Sequence, residues 1–452
     1  MTNNNHSTPN PKQHTLSAGR VLAFLCQQQS GAPLVVFRFA FGVMMFLSAL
    51  RFITNGWVEA LYIKPTYFFT YYGFEWIHPL NATGMYLVFG VMMLAAVGIA
   101  TGIAYRLSAV LFFVLFTYVE LLDKTNYLNH YYFISIMGML LCLLPATGNI
   151  FKLKNGLPQV PRWAILTLQL QMATVYFFAG VAKINTDWLL HTMPLQIWLP
   201  TKTELPVIGP LLGIPAVAYI FSWCGMLFDV LIAFFLFNRR TVWYAYAVVV
   251  VFHVLTAILF PGIGMFPFIM IVCATVFLPA SFHQKTVGVF LKRNNELPDT
   301  AIPSSTFNLQ YVIIALLVLH FTVQAVLPFR YALYPGKLFV HEQGFRFSWR
   351  VMLMEKAGIV FFRVKTNTGK TIEINNRDYL TAQQEKQMST QPDMIWQFAQ
   401  HLKTIYHTNE VYAEAYVTVN GRGSRLFIDP TVNLAAEADG FGNKKWILAS
   451  AQ

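Results

Sequence analysis

Lys183 is the residue whose position in the sequence is most suggestive of chemistry. It stands at the end of a long apolar segment, in the run Tyr176–Trp188 (YFFAGVAKINTDW). An ammonium at the edge of a hydrocarbon region is costly, so such a residue is either an anchor at the membrane surface or a functional group. Burial disfavours the charged form of a lysine, and a neutral amine can act as a base. Spacing alone favours the anchor, whose ammonium reaches from a helix end to the surface, and leaves the catalytic interpretation open.

A second group of polar residues lies in the run Leu122–Tyr132 (LDKTNYLNHYY), between two apolar segments. Asp123 and Lys124 are adjacent, and we expect a surface ion pair between them. Asn129 and His130 enter the start of an apolar segment. An asparagine there commonly caps a helix, and a histidine is commonly a hydrogen-bonded interfacial residue. The alternative for both residues is hydrogen bonding to a ligand.

Other positions also carry a structural and a functional interpretation. Asp187 is expected to cap a turn or to pair with Lys183, and Trp188 fits an aromatic belt at the membrane surface. His253 is a single histidine in an apolar segment, where a hydrogen-bonded core residue is the more common role. The run Gly344–Trp349 (GFRFSW) suits a core strand or a binding face equally well.

The composition places these residues in a membrane protein. Of 452 residues, 56% are hydrophobic and only 12% are charged, and the mean hydropathy is +0.49, which is far more apolar than a soluble domain. Nine segments approach the ~20 residues that cross a bilayer. We therefore predict an α-helical multi-pass membrane bundle of about nine transmembrane helices over residues 31–328. The predicted cores are Leu34–Leu50, Met85–Ile103, Leu107–Leu122, His130–Pro145, Trp163–Lys183, Val217–Phe237, Val242–Phe260, Ile263–Leu278 and Leu309–Leu327.

Charge predicts the orientation of this bundle. With the N-terminus inside, eleven lysine and arginine residues fall in inner loops and five on the outer side. Residues 1–30 then form a cytoplasmic N-terminal segment, and it lacks the pattern of a cleaved signal peptide. An odd number of crossings places the C-terminal part outside, with Lys124 and Lys183 on the same side of a cell or ER membrane.

Residues 329–452 are predicted to form a soluble, β-rich α+β domain on the extracytoplasmic side. Alternating apolar residues in Ile359–Thr366 and Lys370–Asn375 indicate one hairpin. A second hairpin is predicted over Glu414–Ile428, across Asn420-Gly421. Between the hairpins, apolar residues at helical spacing predict an amphipathic helix over Pro392–His407.

Composition argues against other classes of function. The net charge of +12 is divided between loops and the C-terminal domain. Without a dense basic stripe, no nucleic acid partner is expected. None of the four cysteines belongs to a C-x-x-C pair, so neither a disulfide framework nor a zinc site is indicated, and packing is their expected role. They are Cys26, Cys142, Cys224 and Cys273.

Taken together, these segments resemble one family, the vitamin K-dependent γ-glutamyl carboxylases, across nearly the whole chain. The chain looks like a compact, bacterial-like member with an HTTM-type membrane domain. Five short runs carry the resemblance, in the family's order. They are Asp123–Tyr132 (family D-K-T-x-W-N-N-H-x-Y), Tyr176–Trp188 (Y-F-I-A-G-V-K-K-L-D-A-D-W), Phe252–Phe266 (F-H-C-x-x-x-x-L-F-x-I-G-M-F), Arg346–Trp349 (G-Y-S-W) and Asn420–Pro430 (N-G-R-x-x-x-R-x-F-D-P).

The resemblance implies an enzyme that couples two reactions. Such a carboxylase deprotonates reduced vitamin K, a hydroquinone of the phylloquinol or menaquinol type, and adds O2. The oxygenated quinone becomes a strong base and ends as the epoxide. That base removes a γ-proton from a peptide glutamate, and the carbanion attacks CO2. The implied partners are membrane lipid, the quinone and a glutamate-containing protein or peptide, and no metal is implied.

The resemblance also implies roles for individual residues. Lys183 matches the family's base, which removes the proton of the quinol. Asn129 and His130 match a polar pair at the quinone, where they would hydrogen-bond an oxygen and stabilise developing negative charge. His253 matches a histidine near the same pocket.

Further matches concern the acceptor and the surroundings of the site. Phe345 and Trp349 match the segment that the family links to glutamate binding. Asp123, Lys124 and Asp187 match supporting positions in the same runs.

The departures from the family pattern leave the acceptor open. Ala182 replaces the first lysine of the family's K-K pair, and Phe345 and Arg346 stand where the family has tyrosine and glycine. One alternative is therefore a quinol oxidase or epoxidase without glutamate carboxylation. Another is a non-enzymatic membrane transporter or lipid-binding protein, which the lack of an internal repeat disfavours.

Overall fold

The computed structural model of the protein describes residues 18–155, 157–290, 299–300 and 307–448. Most of the predicted cytoplasmic N-terminal segment, including Lys12, lies outside the described residues. Lys292 and Arg293, which contribute to the inner-side charge of the predicted orientation, lie outside them as well.

Helices dominate the described chain up to residue 341, and most strands follow residue 355. The α-helices are α1 (Ala18–Cys26), α2 (Ala32–Thr54), α3 (Ala82–Thr101), α4 (Tyr105–Leu121), α5 (Asn129–Leu143), α6 (Arg162–Ala182), α7 (Thr186–Leu189), α8 (Leu195–Trp198), α9 (Gly209–Leu212), α10 (Pro215–Phe237), α11 (Val242–Leu259), α12 (Phe266–Ala274), α13 (Ala280–Phe290), α14 (Phe307–Val326), α15 (Leu338–His341), α16 (Ala382–Met388) and α17 (Pro392–Ile405). The strands are β1 (Gln28–Ser30), β2 (Leu157–Pro161), β3 (Asp299–Thr300), β4 (Lys356–Lys365), β5 (Thr371–Ile374), β6 (Glu410–Val419) and β7 (Arg425–Ile428).

The predicted count of nine membrane spans is not confirmed. Among the described residues, six helices are long and apolar enough to cross a bilayer: α2, α3, α6, α10, α11 and α14. The segment over α12 and α13 adds a seventh if it counts as one span, although it bends by 111°. The helix α5 has only 15 residues, about 22 Å at 1.5 Å per residue, against a hydrocarbon core of about 30 Å. The 17-residue α4 carries both Arg106 and Glu120, so it too is not confirmed as a span.

The membrane core forms where α2, α3, α4 and α5 pack together. Phe41, Phe112 and Phe133 come from three of these helices and are almost fully buried in it. Gly42 allows α2 and α3 to approach closely, because a Cβ at this position would lie 2.5 Å from the carbonyl oxygen of Ala96. Small residues at such contacts are typical of helices that pack within a membrane.

The C-terminal region is an α+β unit with its own core. Its antiparallel sheet has the strand order β5-β4-β6-β7. Ile395, Phe398 and Leu402 lie on one face of α17 and are fully buried in the core with Phe362 of β4. The two predicted hairpins and the predicted amphipathic helix are therefore confirmed, with bounds that differ by a few residues.

The loop between α2 and α3 connects the membrane bundle to this C-terminal unit. Phe69 from the loop is fully buried in the core of the unit. The Tyr67 hydroxyl donates a hydrogen bond to the carbonyl oxygen of Gln397 at 3.2 Å. These contacts hold the sheet against one end of the bundle, the end where α6 reaches Lys183.

Candidate functional site

Lys183 lies at the point where α6 ends and the chain turns. Its backbone N–H donates to the Gly180 carbonyl at 2.9 Å. Two residues later, Asn185 caps α7, because its Oδ1 accepts the N–H of Trp188. The Lys183 side chain runs back along α6, where Nζ donates to the Ala179 carbonyl at 3.3 Å. With 6% of its area exposed, Lys183 is a buried residue of the bundle and not an anchor at the membrane surface.

The partner of Lys183 is Asp229, the single acidic residue of α10. Lys183 Nζ donates to Asp229 Oδ2 at 2.7 Å, and both side chains are buried. Gly180 makes the close approach of α6 and α10 possible, because a Cβ there would lie 2.6 Å from the backbone nitrogen of Val230. The expected pairing of Lys183 with Asp187 is therefore wrong.

Asp229 is not among the site residues that were predicted from the sequence. A single carboxylate inside an apolar helix is costly without a partner, and this was the signal that could have found the pair. Lys183 was the available cation, although the sequence does not state which of several lysines approaches α10.

The ion pair borders a pocket of about 250 Å³ among α6, α10, α11 and α12. Most of the lining is aromatic or aliphatic, as is typical of sites for apolar ligands. The polar side chains lie together on α6, α10 and α11. Among the lining residues are Tyr176, Lys183, Trp188, Asp229, His253 and Phe266.

His253 is one of the polar residues that line this pocket. Its Nε2 lies 3.0 Å from the Tyr176 hydroxyl, whereas its Nδ1 has no hydrogen-bond partner among the described residues. Buried polar atoms are normally satisfied. The hydrogen bonding of Nδ1 is therefore incomplete within the described part of the chain.

His130 lies behind the wall of the pocket and does not line it. Its ring centroid is 6.1 Å from that of Phe266, and the His253 centroid is 5.7 Å from Phe266 on the pocket side. His130 is buried, with 6% of its area exposed. The structure thus brings the two histidines to the same phenyl ring and leaves them without direct contact.

Asn129 does not cap α5, since Leu128 occupies that position and Asn129 is already helical. Its amide group is used in two other contacts: Nδ2 donates to the Arg350 carbonyl at 2.8 Å, and Oδ1 accepts from the Tyr127 hydroxyl at 3.1 Å. The residues that follow Arg350 line the pocket of Lys183. Asn129 therefore holds the main chain of a pocket wall.

Asp123 and Lys124 do not pair with each other, contrary to expectation. Asp123 accepts hydrogen bonds from Thr125 and from Gln384 of α16, at 2.7–2.9 Å. Lys124 instead pairs with Asp393 of α17 at 2.9 Å, and both residues of the predicted pair are buried. This end of the bundle is thereby bound to the C-terminal unit.

Arg346 shares the carboxylate of Asp393 with Lys124. The Arg346 guanidinium contacts Asp393 at 2.7 Å and also donates to Gln391. Loss of solvent alone would raise the pKa of Asp393, but the charges of Arg346 and Lys124 outweigh this effect and hold that pKa well below its usual range. Arg346 is thus part of a three-residue charge cluster.

Asp187 pairs with the second hairpin of the C-terminal unit. Arg422 forms a bidentate contact with its carboxylate, one arm at 2.9 Å, and Asn420 Nδ2 donates at 2.8 Å. The hydrogen bonds from Arg422 hold the pKa of Asp187 below its usual range. Asp187 is therefore a link between α7 and the hairpin, and the cap of that turn is Asn185.

Trp188 is buried and donates to Ser222, so it does not belong to a surface belt.

The two residues matched to glutamate binding occupy different surroundings. Trp349 is 1% exposed, stacks on Tyr132 at 4.8 Å, and donates to Gln324 Oε1 at 3.0 Å. It is a core residue where α5, α14 and the C-terminal unit meet. Phe345 lines a polar cavity of about 270 Å³ together with Asn129.

Another cavity, of about 470 Å³, lies between the end of α6 and the sheet of the C-terminal unit. It is rich in basic side chains: Arg350, Arg422, Arg425, Lys337 and His191 line it, and Asp187 is its acidic residue. Arg350 is buried, and its guanidinium lies 4.4 Å from the centre of the Tyr331 ring. The segment from Val181 to Trp188 and residues 350–352 contribute to both this cavity and the pocket of Lys183.

These features define an integral membrane protein in which a helical bundle carries a buried lysine–aspartate pair beside an apolar pocket, covered by an α+β unit. The HTTM domain family matches residues 26–282. The lumenal domain of vitamin K-dependent gamma-carboxylase matches residues 309–452. With both domains matched in this order, the chain belongs to the vitamin K-dependent γ-carboxylase family. No solved structure matches the chain.

Proposed function

We propose that this protein is a vitamin K-dependent γ-glutamyl carboxylase, which couples epoxidation of reduced vitamin K to carboxylation of protein glutamate by CO2. The observation that carries the proposal is the apolar pocket of Lys183, which shares a wall with a basic cavity under the C-terminal unit. One compartment suits an apolar quinol and the adjoining one an acidic peptide.

The pocket of Lys183 fits the quinol as a ligand. Its wall is mostly apolar, and Lys183, Asp229 and His253 are the ionisable side chains that line it. Ile220 and Cys224 line it and are also exposed on the outer surface of α10, so the pocket has an opening toward lipid through which an isoprenoid tail can extend. When bound, the quinol supplies the reaction with O2 that yields the epoxide and the strong base.

Lys183 and Asp229 together would take up the quinol proton. An ammonium that is bonded to a carboxylate cannot accept a proton, so we infer a relay. Lys183 Nζ passes a proton to Asp229 Oδ2 across the 2.7 Å hydrogen bond and takes the proton of the quinol hydroxyl. Lys183 then remains an ammonium beside the oxygen that has lost its proton, and the total charge of the site is unchanged. A dry pocket strengthens this electrostatic stabilisation.

Asn129 and His130 would hold the walls of the pocket in position. The resemblance predicts direct hydrogen bonds to the quinone, but the contacts of Asn129 to Arg350 and Tyr127 support a positioning role. His130 supports Phe266, which forms part of the lining.

The basic cavity would hold the acceptor. Arg350 is buried without a carboxylate partner among the described ion pairs. Such a guanidinium is suited to bidentate binding of a carboxylate. The N-inside orientation, with this cavity and the C-terminal unit on the extracytoplasmic side, is part of the same proposal.

The test is a coupled assay on the purified protein in detergent. Reduced vitamin K, O2, labelled bicarbonate and a short glutamyl peptide are supplied, and epoxide and peptide label are measured together. Both products are expected, and both should be lost in Lys183→Ala. The variant Lys183→Gln serves as a second form, because its amide can still donate a hydrogen bond to the Asp229 carboxylate, which Lys183→Ala would leave without this donor.

A second candidate is a quinol epoxidase without carboxylation. Phe345 and Arg346 favour it, since Arg346 is held in the cluster with Asp393 where the family has glycine. Epoxide without label in any glutamyl peptide would support this candidate. The absence of both epoxide and labelled peptide would contradict both proposals.

A further inference from the structure

A separate cavity, of about 600 Å³, lies at the end of the bundle opposite the C-terminal unit. Arg162 at the start of α6 lines it, whereas Lys183 at the other end of α6 lies near the sheet. The 21 residues of α6 span about 31 Å, which separates this cavity from the proposed active site by about the thickness of a bilayer core.

Among the described residues, the charged side chains that line this cavity are both positive. Arg162 and Arg239 line it, and no aspartate or glutamate does. Neither arginine forms an ion pair within the described part of the chain. The Arg162 guanidinium lies 4.2 Å from the centre of the Phe24 ring. A contact with the ring does not use the N–H groups at the edge of the guanidinium, and these can bind an anion.

Most of the remaining lining is apolar, and Gln29, Ser30, Gln169 and Ser281 are its uncharged polar side chains. Leu236 and Phe237 from the end of α10, with Phe277 and Leu278 from the bend before α13, form much of the wall. The short amphipathic helix α1 covers one side and exposes Val21 and Phe24, the pattern of a helix that lies in the plane of a membrane surface. A ligand for this cavity therefore has an anionic head and apolar chains.

We propose that this cavity binds an anionic phospholipid from the membrane leaflet that faces away from the C-terminal unit. Arg162 and Arg239 would hold the phosphate of the headgroup, and the wall formed by α10 and the bend before α13 would accommodate the acyl chains. Basic pockets between membrane helices recognise anionic headgroups by this combination of charge and apolar surface. A soluble anion would use the two arginines but gain nothing from the apolar wall.

The test compares lipid binding by the full chain in detergent. Native mass spectrometry measures the dissociation constants for phosphatidylglycerol and phosphatidylcholine. In Arg162→Gln/Arg239→Gln we expect the constant for phosphatidylglycerol to rise about tenfold or more, because each basic residue contributes to headgroup attraction. The control is Arg240→Gln/Lys285→Gln, which removes the same charge from exposed positions that are absent from the lining. It should change the constant less than about twofold.

Other outcomes would overturn the proposal. Equal weakening in both double variants would mean non-specific attraction to the surface. Unchanged binding in Arg162→Gln/Arg239→Gln would exclude the cavity as the site. Displacement of phosphatidylglycerol by millimolar inorganic phosphate would identify a soluble anion as the ligand. If the double variant is unstable, Arg239→Gln alone is used, because Arg239 is exposed, and it should still weaken phosphatidylglycerol binding.

Discussion

Lys183 Nζ donates to Asp229 Oδ2 at 2.7 Å, so two residues 46 positions apart form one buried ion pair inside the membrane part of the protein. The pair changes the simplest view of the site, in which an isolated neutral lysine is the base. A lysine held by a carboxylate needs somewhere to send its proton. Asp229 is therefore the residue on which the proposed mechanism is most directly tested.

Asp229→Asn should lower epoxide formation about 100-fold or more, because an amide keeps the shape of the side chain but cannot take the proton of Lys183. Turnover of reduced vitamin K is measured by epoxide release. Cys224→Ser is the matched control, since it lies in the same pocket without a role in proton transfer. If Asp229 only neutralises charge, its removal would favour the neutral amine and epoxide formation would persist, which would contradict the relay.

Gly180→Ala should both destabilise the protein and reduce epoxide formation. The new Cβ would meet the backbone of α10 at 2.6 Å, and overpacking of this kind costs about 1–3 kcal/mol. The shift of α6 against α10 would also lengthen the bond from Lys183 to Asp229. Thermal unfolding in detergent and the epoxide assay report the two effects.

Gly90→Ala is the control for this substitution, because a Cβ at that helical position has no atom within 4 Å. It should leave stability and turnover nearly unchanged. Similar losses in the two variants would show that the contact at Gly180 has no special importance.

Asn129→Ala and Tyr127→Phe should reduce epoxide formation by similar factors, about tenfold each. Both remove the hydrogen bond between Tyr127 and Asn129. Each also removes one further bond: Tyr127→Phe leaves the Phe347 N–H without its acceptor, and Asn129→Ala leaves the Arg350 carbonyl without its donor. Steady-state kinetics with varied quinol provide the comparison. A loss in Asn129→Ala that exceeds that of Tyr127→Phe by two orders of magnitude would instead support direct contact of Asn129 with the quinone.

Asp393→Asn should destabilise the contact between the bundle and the C-terminal unit by about 2–3 kcal/mol, because two largely buried cations, Lys124 and Arg346, would lose their shared carboxylate. Glu59→Gln in the exposed pair with Lys64 should cost no more than about 0.5 kcal/mol. Chemical denaturation measures the loss of unfolding free energy in both variants. Equal effects would contradict the assigned role of the cluster.

The same carboxylate predicts a pH dependence of stability. The pKa of Asp393 is lower in the folded protein than its usual value near 3.9. Its stabilising contribution is therefore complete above about pH 4 and is lost as the pH falls toward the folded-state pKa. Unfolding free energies measured from pH 6 down to pH 3 should decrease less steeply in Asp393→Asn than in the unmodified protein.

The sequence by itself determined the membrane character of the chain, the α+β character of its C-terminal region and the positions of its hairpins and amphipathic helix. These follow from local patterns, namely long apolar segments, two-residue and helical periodicity, and turn residues. It also marked Lys183 and His253, because single polar side chains stand out in apolar surroundings. The predicted count of nine spans is not confirmed, since α5 has only 15 residues and α4 combines limited length with two charges.

Only the tertiary structure decided which polar side chains meet. Lys183 pairs with Asp229 because Gly180 lets two distant helices touch, and Asp187 is left to pair with Arg422 across the contact with the C-terminal unit. Charged neighbours in sequence gave no guide, as Lys124 beside Asp123 shows. The physical reason is that a buried charge is satisfied by whichever opposite charge the packing brings within hydrogen-bond distance, and packing depends on contacts far apart in the chain.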